Sequence, residues 1–322
     1  MVLIMQTSSF SEQKSIPVND QHNPKTYVVI NPVSGTLPPD TVRETIQSTL
    51  QAHNVTFEIY ETTGKENIRQ VVRQAVQQGF ELFLAAGGDG TAAAVVSGLV
   101  DTQIPLAVIP TGTWNVLARN LDIPLPLDQA LELVFQEHSI RVIDAMQVKD
   151  NFYILNISTG VGSRTMRTVK REEKRRFGRL ADLWAALINL MGFQTYRLDV
   201  TIDGKQTKFR ALEVMVANSK IIGLKGIQLD PDIHMDDGKL NVCRLYADNL
   251  IDFFNLAISI LLGKQRESWN VVCLEVLHEV GIYCREKNLP VQGDGDLIGR
   301  LPIVVKLRPK AIHIVVPLFS DT

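Results

Sequence analysis

The sequence predicts an α/β amino-terminal domain with a doubly wound, mainly parallel sheet, followed by a mainly antiparallel β-sandwich with inserted helices. Two observations predict this fold class. Up to residue 143, apolar strand patterns alternate with helical patterns, an order that builds a parallel sheet. Beyond it, strand patterns follow one another, and Asp203-Gly204 signals a tight hairpin. We therefore predict a disordered tail at 1–24, an α/β domain at 25–143 and a sandwich at 144–322, whose last strands can return toward the first domain.

The individual elements follow from the spacing of apolar residues and from the turns between them. In the first domain, strands are predicted at 26–30, 55–60, 81–84 and 105–109, and helices at 40–52, 66–78, 91–99, 115–121 and 127–137. In the second domain, strands are predicted at 197–202, 206–216, 240–246, 271–277, 280–285, 303–307 and 311–316, and helices at 174–190 and 249–262. The more apolar of these two helices is too short to span a bilayer.

The run Gly87-Gly88-Asp89-Gly90-Thr91 joins a buried strand to a helix. Its glycines allow a tight turn and bring backbone N–H groups close to a ligand. The helix that follows directs its positive end at the same place, which favours a phosphate. The carboxylate of Asp89 would repel that phosphate unless a cation bridged them, so the turn indicates a Mg²⁺–nucleotide site or a proton-transfer role. A structural turn with an exposed Asp89 is the alternative.

Three further turns have the same character. They are Asn31-Pro32-Val33-Ser34-Gly35, Thr62-Thr63-Gly64 and Pro110-Thr111-Gly112-Thr113-Trp114-Asn115. Each places a glycine and small hydroxyl or amide side chains after a predicted strand. In an open α/β sheet the carboxyl ends of the strands lie side by side, where ligands bind. We therefore expect the four turns to form one site.

In order and spacing, the runs at 31–35, 87–91 and 110–115 resemble the motifs of the diacylglycerol kinase catalytic-domain family, which includes bacterial lipid kinases, sphingosine kinases and ceramide kinases. The resemblance covers nearly the whole chain and continues through the runs at 216–218, 229–231, 236–240 and 294–296. It implies an ATP- and Mg²⁺-dependent lipid kinase that transfers the γ-phosphoryl group to a lipid hydroxyl, with diacylglycerol as the favoured acceptor.

The resemblance also implies which residues hold the nucleotide, and Mg²⁺ near Asp89 would bridge ATP oxygens. The predicted nucleotide-binding residues are Asn31, Pro32, Ser34, Gly35, Thr62, Gly87, Gly88, Asp89, Gly90, Thr91, Thr113 and Asn115.

Two aspartates are candidates for the general base. The family usually has Asp-Gly-Glu where this chain has Asp294-Gly295-Asp296, and the Glu is the proposed proton acceptor. Asp296 takes that place with a side chain one methylene shorter. In some relatives the aspartate of the glycine turn is assigned instead, which makes Asp89 the other catalytic candidate. A β-turn with two solvated aspartates is the structural alternative at 294–296.

The run Asp236-Asp237-Gly238-Lys239-Leu240 is a carboxylate turn that opens a strand. By resemblance it binds a structural Mg²⁺ through the Asp237 side chain and the backbone carbonyls of His234 and Lys239. Oxygen ligands with remaining waters suit this ion. A metal-free turn is the alternative.

Two other functions compete with a lipid kinase. NAD kinases share the glycine turn, but the Asn-Glu pair with which they hold the ribose is absent from this chain. A non-catalytic lipid- or nucleotide-binding member is the other alternative. It is suggested by Asp296 in place of Glu, by Val116 where many bacterial members have Asp, and by Arg164 where the family's pattern has Asp. An assay of ATP turnover with and without diacylglycerol separates a kinase from a binding protein.

The net charge of −2 gives no global basic surface, so nucleic acid is not an expected partner. One basic run, at 170–179, leads into an apolar helix and suits anionic headgroups; a soluble helix with a charged start is the alternative. We predict a cytoplasmic protein that contacts the bilayer peripherally to reach a membrane lipid substrate. A homodimer remains open. Three cysteines without metal-ligand spacing, Cys243, Cys273 and Cys284, predict buried thiols in a reducing compartment.

Overall fold

The computed structural model describes residues 15–16, 23–160, 195–221, 228–247, 252, 255–256, 258–259, 270–285 and 288–318. The predicted helix at 174–190 and the basic run at 170–179 lie outside these residues, as does most of the predicted helix at 249–262. Two sheets dominate the structure, one of eleven strands and one of six. In the part of the chain that is described, no helix has the length and apolar character needed to cross a bilayer.

The strands are β1 (Ser15–Ile16), β2 (Thr26–Ile30), β3 (Phe57–Glu61), β4 (Leu82–Gly87), β5 (Leu106–Pro110), β6 (His138–Val148), β7 (Asn151–Tyr153), β8 (Asn156–Gly160), β9 (Tyr196–Ile202), β10 (Lys205–Ala211), β11 (Glu213–Ala217), β12 (Leu240–Leu245), β13 (Val271–Val276), β14 (Glu279–Cys284), β15 (Pro290–Gly293), β16 (Asp296–Arg300) and β17 (Ile303–Pro317). The helices are α1 (Pro39–Ala52), α2 (Ile68–Gln77), α3 (Asp89–Leu99), α4 (Val116–Asn120) and α5 (Leu127–Glu132).

The amino-terminal half is a parallel sheet in the order β5-β4-β2-β3. Strands β2, β4 and β5 are buried along their whole length, as expected for apolar runs covered by helices on both faces. The chain passes from β2 to β3 on one side and then to β4 on the other. The order of the strands therefore reverses between β2 and β4, and ligands bind at such a switch point.

The carboxy-terminal half is antiparallel. Strands β10, β9, β14 and β17 continue the large sheet, and the six-stranded sheet has the order β13-β12-β11-β8-β15-β16. A core of buried residues from both sheets lies between them, including Val200, Val280 and Val305 from one sheet and Val214 and Val242 from the other. The parallel α/β part and the antiparallel sandwich confirm the predicted fold class.

Two predicted strand boundaries are wrong. The single strand predicted at 206–216 is two strands, because the chain leaves the large sheet at Leu212, whose N–H donates to the Leu245 carbonyl, and enters the small sheet as β11. The two strands predicted at 303–307 and 311–316 are one long strand, β17. Its register shifts between Arg308 and Ile312, where Lys310 has a φ of 51°. Such an irregularity interrupts the alternation of side chains and resembles a turn in the sequence.

The predicted disordered tail contains a short strand. Ser15 and Ile16 pair antiparallel with Ser139 and His138 of β6. A strand edge with unpaired backbone N–H and C=O groups can pair with a further extended segment. The polar sequence around residue 15 shows no strand pattern, so this pairing could not be predicted from it.

The prediction of unpaired thiols is wrong for two cysteines. Cys243 on β12 and Cys273 on β13 are directly opposite each other, with their Cα atoms 4.0 Å apart, and they form a disulfide. Cys284 is a buried free thiol. The two paired cysteines are 30 residues apart in the chain, so only the strand pairing brings them together.

Candidate functional site

Side-chain hydrogen bonds join the predicted nucleotide turns at the carboxyl edge of the parallel sheet. The Asn31 amide after β2 donates to the Thr91 hydroxyl after β4, at 3.2 Å. The Ser34 and Thr111 hydroxyls, after β2 and β5, are 2.7 Å apart. Thr62, after β3, donates its N–H to the last residue of β2. The structure therefore brings the turns that follow these four strands to one edge.

Glycines allow these turns to pack against each other. Gly35 has a φ of 73°, and a Cβ on it would lie 1.6 Å from the Thr111 carbonyl oxygen. A Cβ on Gly112 would lie 2.4 Å from the Cα of Gly88. Real Cβ atoms do not approach that closely, so the turns after β2, β4 and β5 can meet only with glycine at these positions. The contact brings their backbones together where a phosphate is expected.

Asp89 connects the glycine turn to the helix after β5. It is the first residue of α3, and its Oδ1 accepts the backbone N–H of Leu117 at 2.9 Å, in the first turn of α4. That bond satisfies one of the N–H groups that a helix start leaves without an intrahelical partner. No described residue donates to Asp89 Oδ2, so this oxygen is available to a cation or a proton.

Asn115 provides a second available acceptor at this edge. It precedes α4 with a φ of 48°, and its side-chain amide donates to the carbonyls of Pro110 and Gly112. Its Oδ1 is buried and accepts no hydrogen bond from the described residues. A buried acceptor without a donor costs free energy, and a nucleotide N–H or O–H group would satisfy it. Thr113, by contrast, is exposed at the surface of the same turn.

Asp294 joins the second sheet to this region. Its Oδ2 accepts the backbone N–H of Ile154 at 2.8 Å, and its Oδ1 accepts those of Leu155 and Asn156 at 2.9 and 3.0 Å. The three donors form the link between β7 of the large sheet and β8 of the small one. Asp294 therefore fixes the 294–296 turn against the junction between the sheets.

The glycine turn and the 294–296 turn are close enough to interact electrostatically. Burial raises the pKa of Asp294 from 3.8 to about 6, the three backbone hydrogen bonds oppose that rise, and the Asp89 carboxylate adds to it. Burial and the charges of Asp294 and Asp296 raise the pKa of Tyr153 to about 12. The Asp89 and Asp294 carboxylates, one from each half of the predicted active site, thus lie near enough for their charges to interact.

The two aspartates of the 294–296 turn have different surroundings. Asp296, the predicted base, is exposed as the first residue of β16. Asp294 is the one that is hydrogen-bonded and that responds to Asp89. The sequence pointed to the turn but could not show which carboxylate faces inward. Asp294 and Gly295 both have positive φ in the structure, a conformation that Asp and Gly tolerate best. The Asp-Gly pair was therefore the local sequence signal for a tight turn, but not for the direction of either carboxylate.

The acidic turn at 236–238 is anchored by two residues that the sequence analysis missed. Asp144 on β6 is fully buried and accepts the N–H groups of Gly238 and Lys310, each at 2.8 Å. Burial raises its pKa, these hydrogen bonds oppose the rise, and Asp237 and Asp236 add to it. Arg141 binds Asp236 with two hydrogen bonds, at 2.8 and 3.1 Å. An aspartate within an apolar strand was the available signal for Asp144.

In the acidic turn, one oxygen of Asp237 is left for the predicted magnesium ion. Asp237 Oδ1 accepts the Lys239 N–H at 3.0 Å, so only Oδ2 is left for a ligand. Partial burial raises the pKa of Asp237, opposed by its bond to Lys239. The described residues contain no group of three or more His, Cys, Asp or Glu side chains suited to a metal. One carboxylate oxygen, backbone carbonyls and waters form a donor set that fits Mg²⁺, which keeps several waters.

Comparison with known proteins identifies similar sequences and folds. The chain matches the family model of the diacylglycerol kinase catalytic domain over residues 25–148, and that of the YegS C-terminal NAD kinase beta sandwich-like domain over residues 156–316. A diacylglycerol kinase of Bacillus subtilis is 30% identical, covering 80% of this chain and 84% of that protein. A Yersinia enterocolitica protein named a probable lipid kinase, YegS-like, is 27% identical, covering 70% of this chain and 77% of that protein. The crystal structure of a diacylglycerol kinase from Bacillus anthracis has a TM-score of 0.75 at 22% identity, covering 91% of this chain and 97% of that one, and shows a shared fold.

Replacing Gly35 by alanine tests the contact between the turns. Gly79, after α2, has a similar φ of 79° but open space around it, so Gly79→Ala is the matched control. Both variants carry about 1–2 kcal/mol of backbone strain. Gly35→Ala must also displace Thr111, and we expect it to lower nucleotide affinity about tenfold or more, because small displacements at a site are costly. Calorimetric titration of both variants measures this, and equal affinities would contradict the contact.

Asp294 should make stability depend on pH. Its folded pKa of about 6 lies above the ordinary 3.8, so the stabilisation from the protonated form is complete below pH 3.8 and is lost as the pH rises through about 6. Relative to Asp294→Asn, the parent should lose about 2 kcal/mol between pH 4 and pH 6. Urea titrations across this range measure the trend, with Asp128→Asn, an exposed aspartate on α5, as the baseline. A constant difference between parent and Asp294→Asn would rule out the inferred burial.

Proposed function

The chain belongs to the diacylglycerol kinase catalytic domain family, as its motifs predicted, and on that premise we propose that it is an ATP- and Mg²⁺-dependent lipid kinase. The proposed reaction transfers the γ-phosphoryl group to the hydroxyl of a membrane lipid, with diacylglycerol as the favoured acceptor. The observation that supports it best is that Asp89 and Asp294, which are far apart in the sequence, lie within electrostatic reach of each other. Phosphoryl transfer needs acidic groups beside the phosphates and beside the acceptor hydroxyl.

The turns at the sheet edge supply the nucleotide half of the mechanism. Backbone N–H groups at 87–91 and the start of α3 provide positive potential for the phosphates. The Asn31 amide and the Thr91 hydroxyl are bonded to each other, and the Ser34 hydroxyl is bonded to that of Thr111. These oriented groups would hold phosphate and ribose oxygens. The buried Oδ1 of Asn115 offers an acceptor for a donor group of the nucleotide. Preorganised groups of this kind need no rearrangement when charge develops.

The 294–296 turn supplies the acceptor half. In this proposal Asp294 is a positioning residue, because both of its oxygens already accept backbone N–H groups. Asp296 lies two residues further on, at the surface, where it can receive a lipid hydroxyl and accept its proton. Asp89 Oδ2 is the other candidate for the proton. Both remain in the proposal, and one pair of substitutions decides between them.

Magnesium would have two places. At the nucleotide, Asp89 Oδ2 would hold the ion that neutralises charge on the transferring phosphoryl group. At the acidic turn, Asp237 Oδ2 with the carbonyls of His234 and Lys239 would hold a structural ion. Asp144 supports that turn through the Gly238 N–H.

Asp89→Asn tests the proposal directly. The amide oxygen can still accept the Leu117 N–H, so we expect the melting temperature to stay unchanged. The lost charge should lower ATP turnover with diacylglycerol by about 100-fold or more. A radiolabelled ATP assay with diacylglycerol in mixed micelles measures this, with Asp128→Asn as the control and NAD as an alternative acceptor. Undiminished turnover in Asp89→Asn, or phosphorylation of NAD alone by the parent, would refute the proposed function.

Substitutions at 296 separate the two bases. If Asp296 is the base, Asp296→Glu restores the usual side chain of the family and should keep or raise activity. Asp296→Asn cannot accept a proton and should lower kcat far more than it changes the KM for ATP. Steady-state kinetics of both variants provide the measurement. Full activity of Asp296→Asn would leave Asp89 as the acceptor, or would mean that the transition state needs none.

Removal of the structural ion should show in stability. An ion that binds only the folded chain raises its melting temperature by linkage. We expect Mg²⁺ to raise the melting temperature of the parent and of Asp232→Ala, a neighbouring exposed aspartate, but to raise that of Asp237→Ala less. Scanning calorimetry with increasing Mg²⁺ measures this. An equal response in Asp237→Ala would place the ion elsewhere.

A further inference from the structure

We propose that a groove on the outer face of the large sheet binds the headgroup of an anionic phospholipid at the membrane surface. The groove has a volume of about 810 Å³, within the ordinary range for a site that holds a small ligand. Its walls are the β6–β7 hairpin, the turn at 277–279, strand β16 and the first half of β17. None of the residues assigned to the nucleotide or to the metal lines it.

The groove concentrates positive charge. Four of its lining residues carry a fixed positive charge, Lys149, Arg300, Lys306 and Arg308, against a single acidic one, Glu279. The chain as a whole has a net charge of −2, so this balance is local. Such a concentration attracts anions, and the attraction is stronger inside a concave site than on an open surface.

The charges are only partly neutralised within the protein. The Nζ of Lys306 is 3.9 Å from Glu279, a distance at which an exposed pair contributes little. Arg308 is paired with Asp101 at 2.7 Å. The ammonium of Lys149, at the tip of the hairpin, has no acidic partner among the described residues. The Arg300 guanidinium donates to the Asn288 carbonyl. Lys149 and Lys306 are therefore two cations that no close ion pair holds, and both are available to an anionic group.

Apolar side chains beside these cations favour a lipid over a soluble anion. Val304, Lys306 and Arg308 alternate along β17 and so share its outward face. Val304 is 48% exposed, and Leu277 in the opposite wall is 50% exposed. A surface with basic residues next to exposed apolar ones matches the boundary between headgroups and acyl chains. Free phosphate would gain nothing from Val304 or Leu277.

The groove adjoins the proposed acceptor site. Tyr153 lines the groove, and the charges of Asp294 and Asp296 help to raise its pKa. The Tyr153 ring also packs against Gly293, the residue just before the 294–296 turn. A Cβ on that glycine would lie only 2.6 Å from the ring. A headgroup in the groove would therefore hold the membrane surface next to Asp296. This step rests on the proposed function, whereas binding to vesicles does not.

The test is binding of the full-length protein, without ATP, to vesicles of phosphatidylcholine alone or mixed with phosphatidylglycerol. We expect the parent to bind the anionic vesicles more tightly and to be released by salt. The double variant Lys149→Gln, Lys306→Gln should lose roughly thirtyfold in affinity, since each basic residue near an anionic membrane contributes about fivefold. Val304→Thr, which keeps the shape of the side chain, should lose severalfold. Co-sedimentation measures all of these.

Matched controls make the result specific. Lys205→Gln combined with Lys208→Gln removes the same charge from exposed positions on β10 that do not line the groove. Full retention of vesicle binding by the Lys149, Lys306 variant, or an equal loss in the β10 variant, would overturn the proposal. So would calorimetric binding of inorganic phosphate to the groove in a parent that does not bind anionic vesicles. Because no turnover is measured, an inactive protein would refute the kinase proposal and leave this test intact.

Discussion

The carboxylate of Asp294 fixes the 294–296 turn of the candidate site to the junction between the two sheets. It accepts three backbone N–H groups from 154–156, the link through which the chain passes from the large sheet to the small one. Burying a carboxylate costs free energy, and hydrogen bonds to a charged acceptor offset part of that cost. The raised pKa shows that the offset is incomplete. Together with the pairing of β15 with β8, this side chain therefore sets the position of the 294–296 turn at the sheet junction.

Two other buried polar residues support the same junction. The Asn218 side-chain amide donates to the carbonyls of Asp144 and Ile154, at 2.9 and 3.0 Å, and its own N–H donates to Leu155. Asp144 in turn binds the N–H groups of Gly238 and Lys310. Buried polar groups of this kind are costly when unpaired, so a shift of one of these residues would leave its hydrogen-bond partners unsatisfied. The acidic turn and the sheet junction are consequently parts of one network.

At the other side of the site, backbone packs directly against backbone in addition to the side-chain hydrogen bonds that join the turns. Gly35, Gly88 and Gly112 allow three turns to meet with almost no side-chain volume between them. The turns thereby bring backbone N–H groups close to a ligand, and Asp89 is the one charged residue within these three turns. A nearly neutral cradle with one carboxylate suits a nucleotide that arrives with its own cation. The groove lined by Lys149 and Lys306 is positively charged instead. A nucleotide with its cation and an anionic phospholipid headgroup would therefore bind at different places on this protein.

By itself the sequence determined the parallel sheet, the turns at its edge and the family, because apolar periodicity and short motifs are local properties. It placed the glycine-bearing turns at the carboxyl ends of the parallel strands correctly, because each follows a strand of recognisable pattern. Only the tertiary structure decided that Asp294 binds the sheet junction while Asp296 is exposed, that Asp144 anchors the acidic turn, and that Cys243 pairs with Cys273. Each of these depends on neighbours far away in the chain. Burial, pKa and disulfide geometry are set by such neighbours, and no local pattern encodes them.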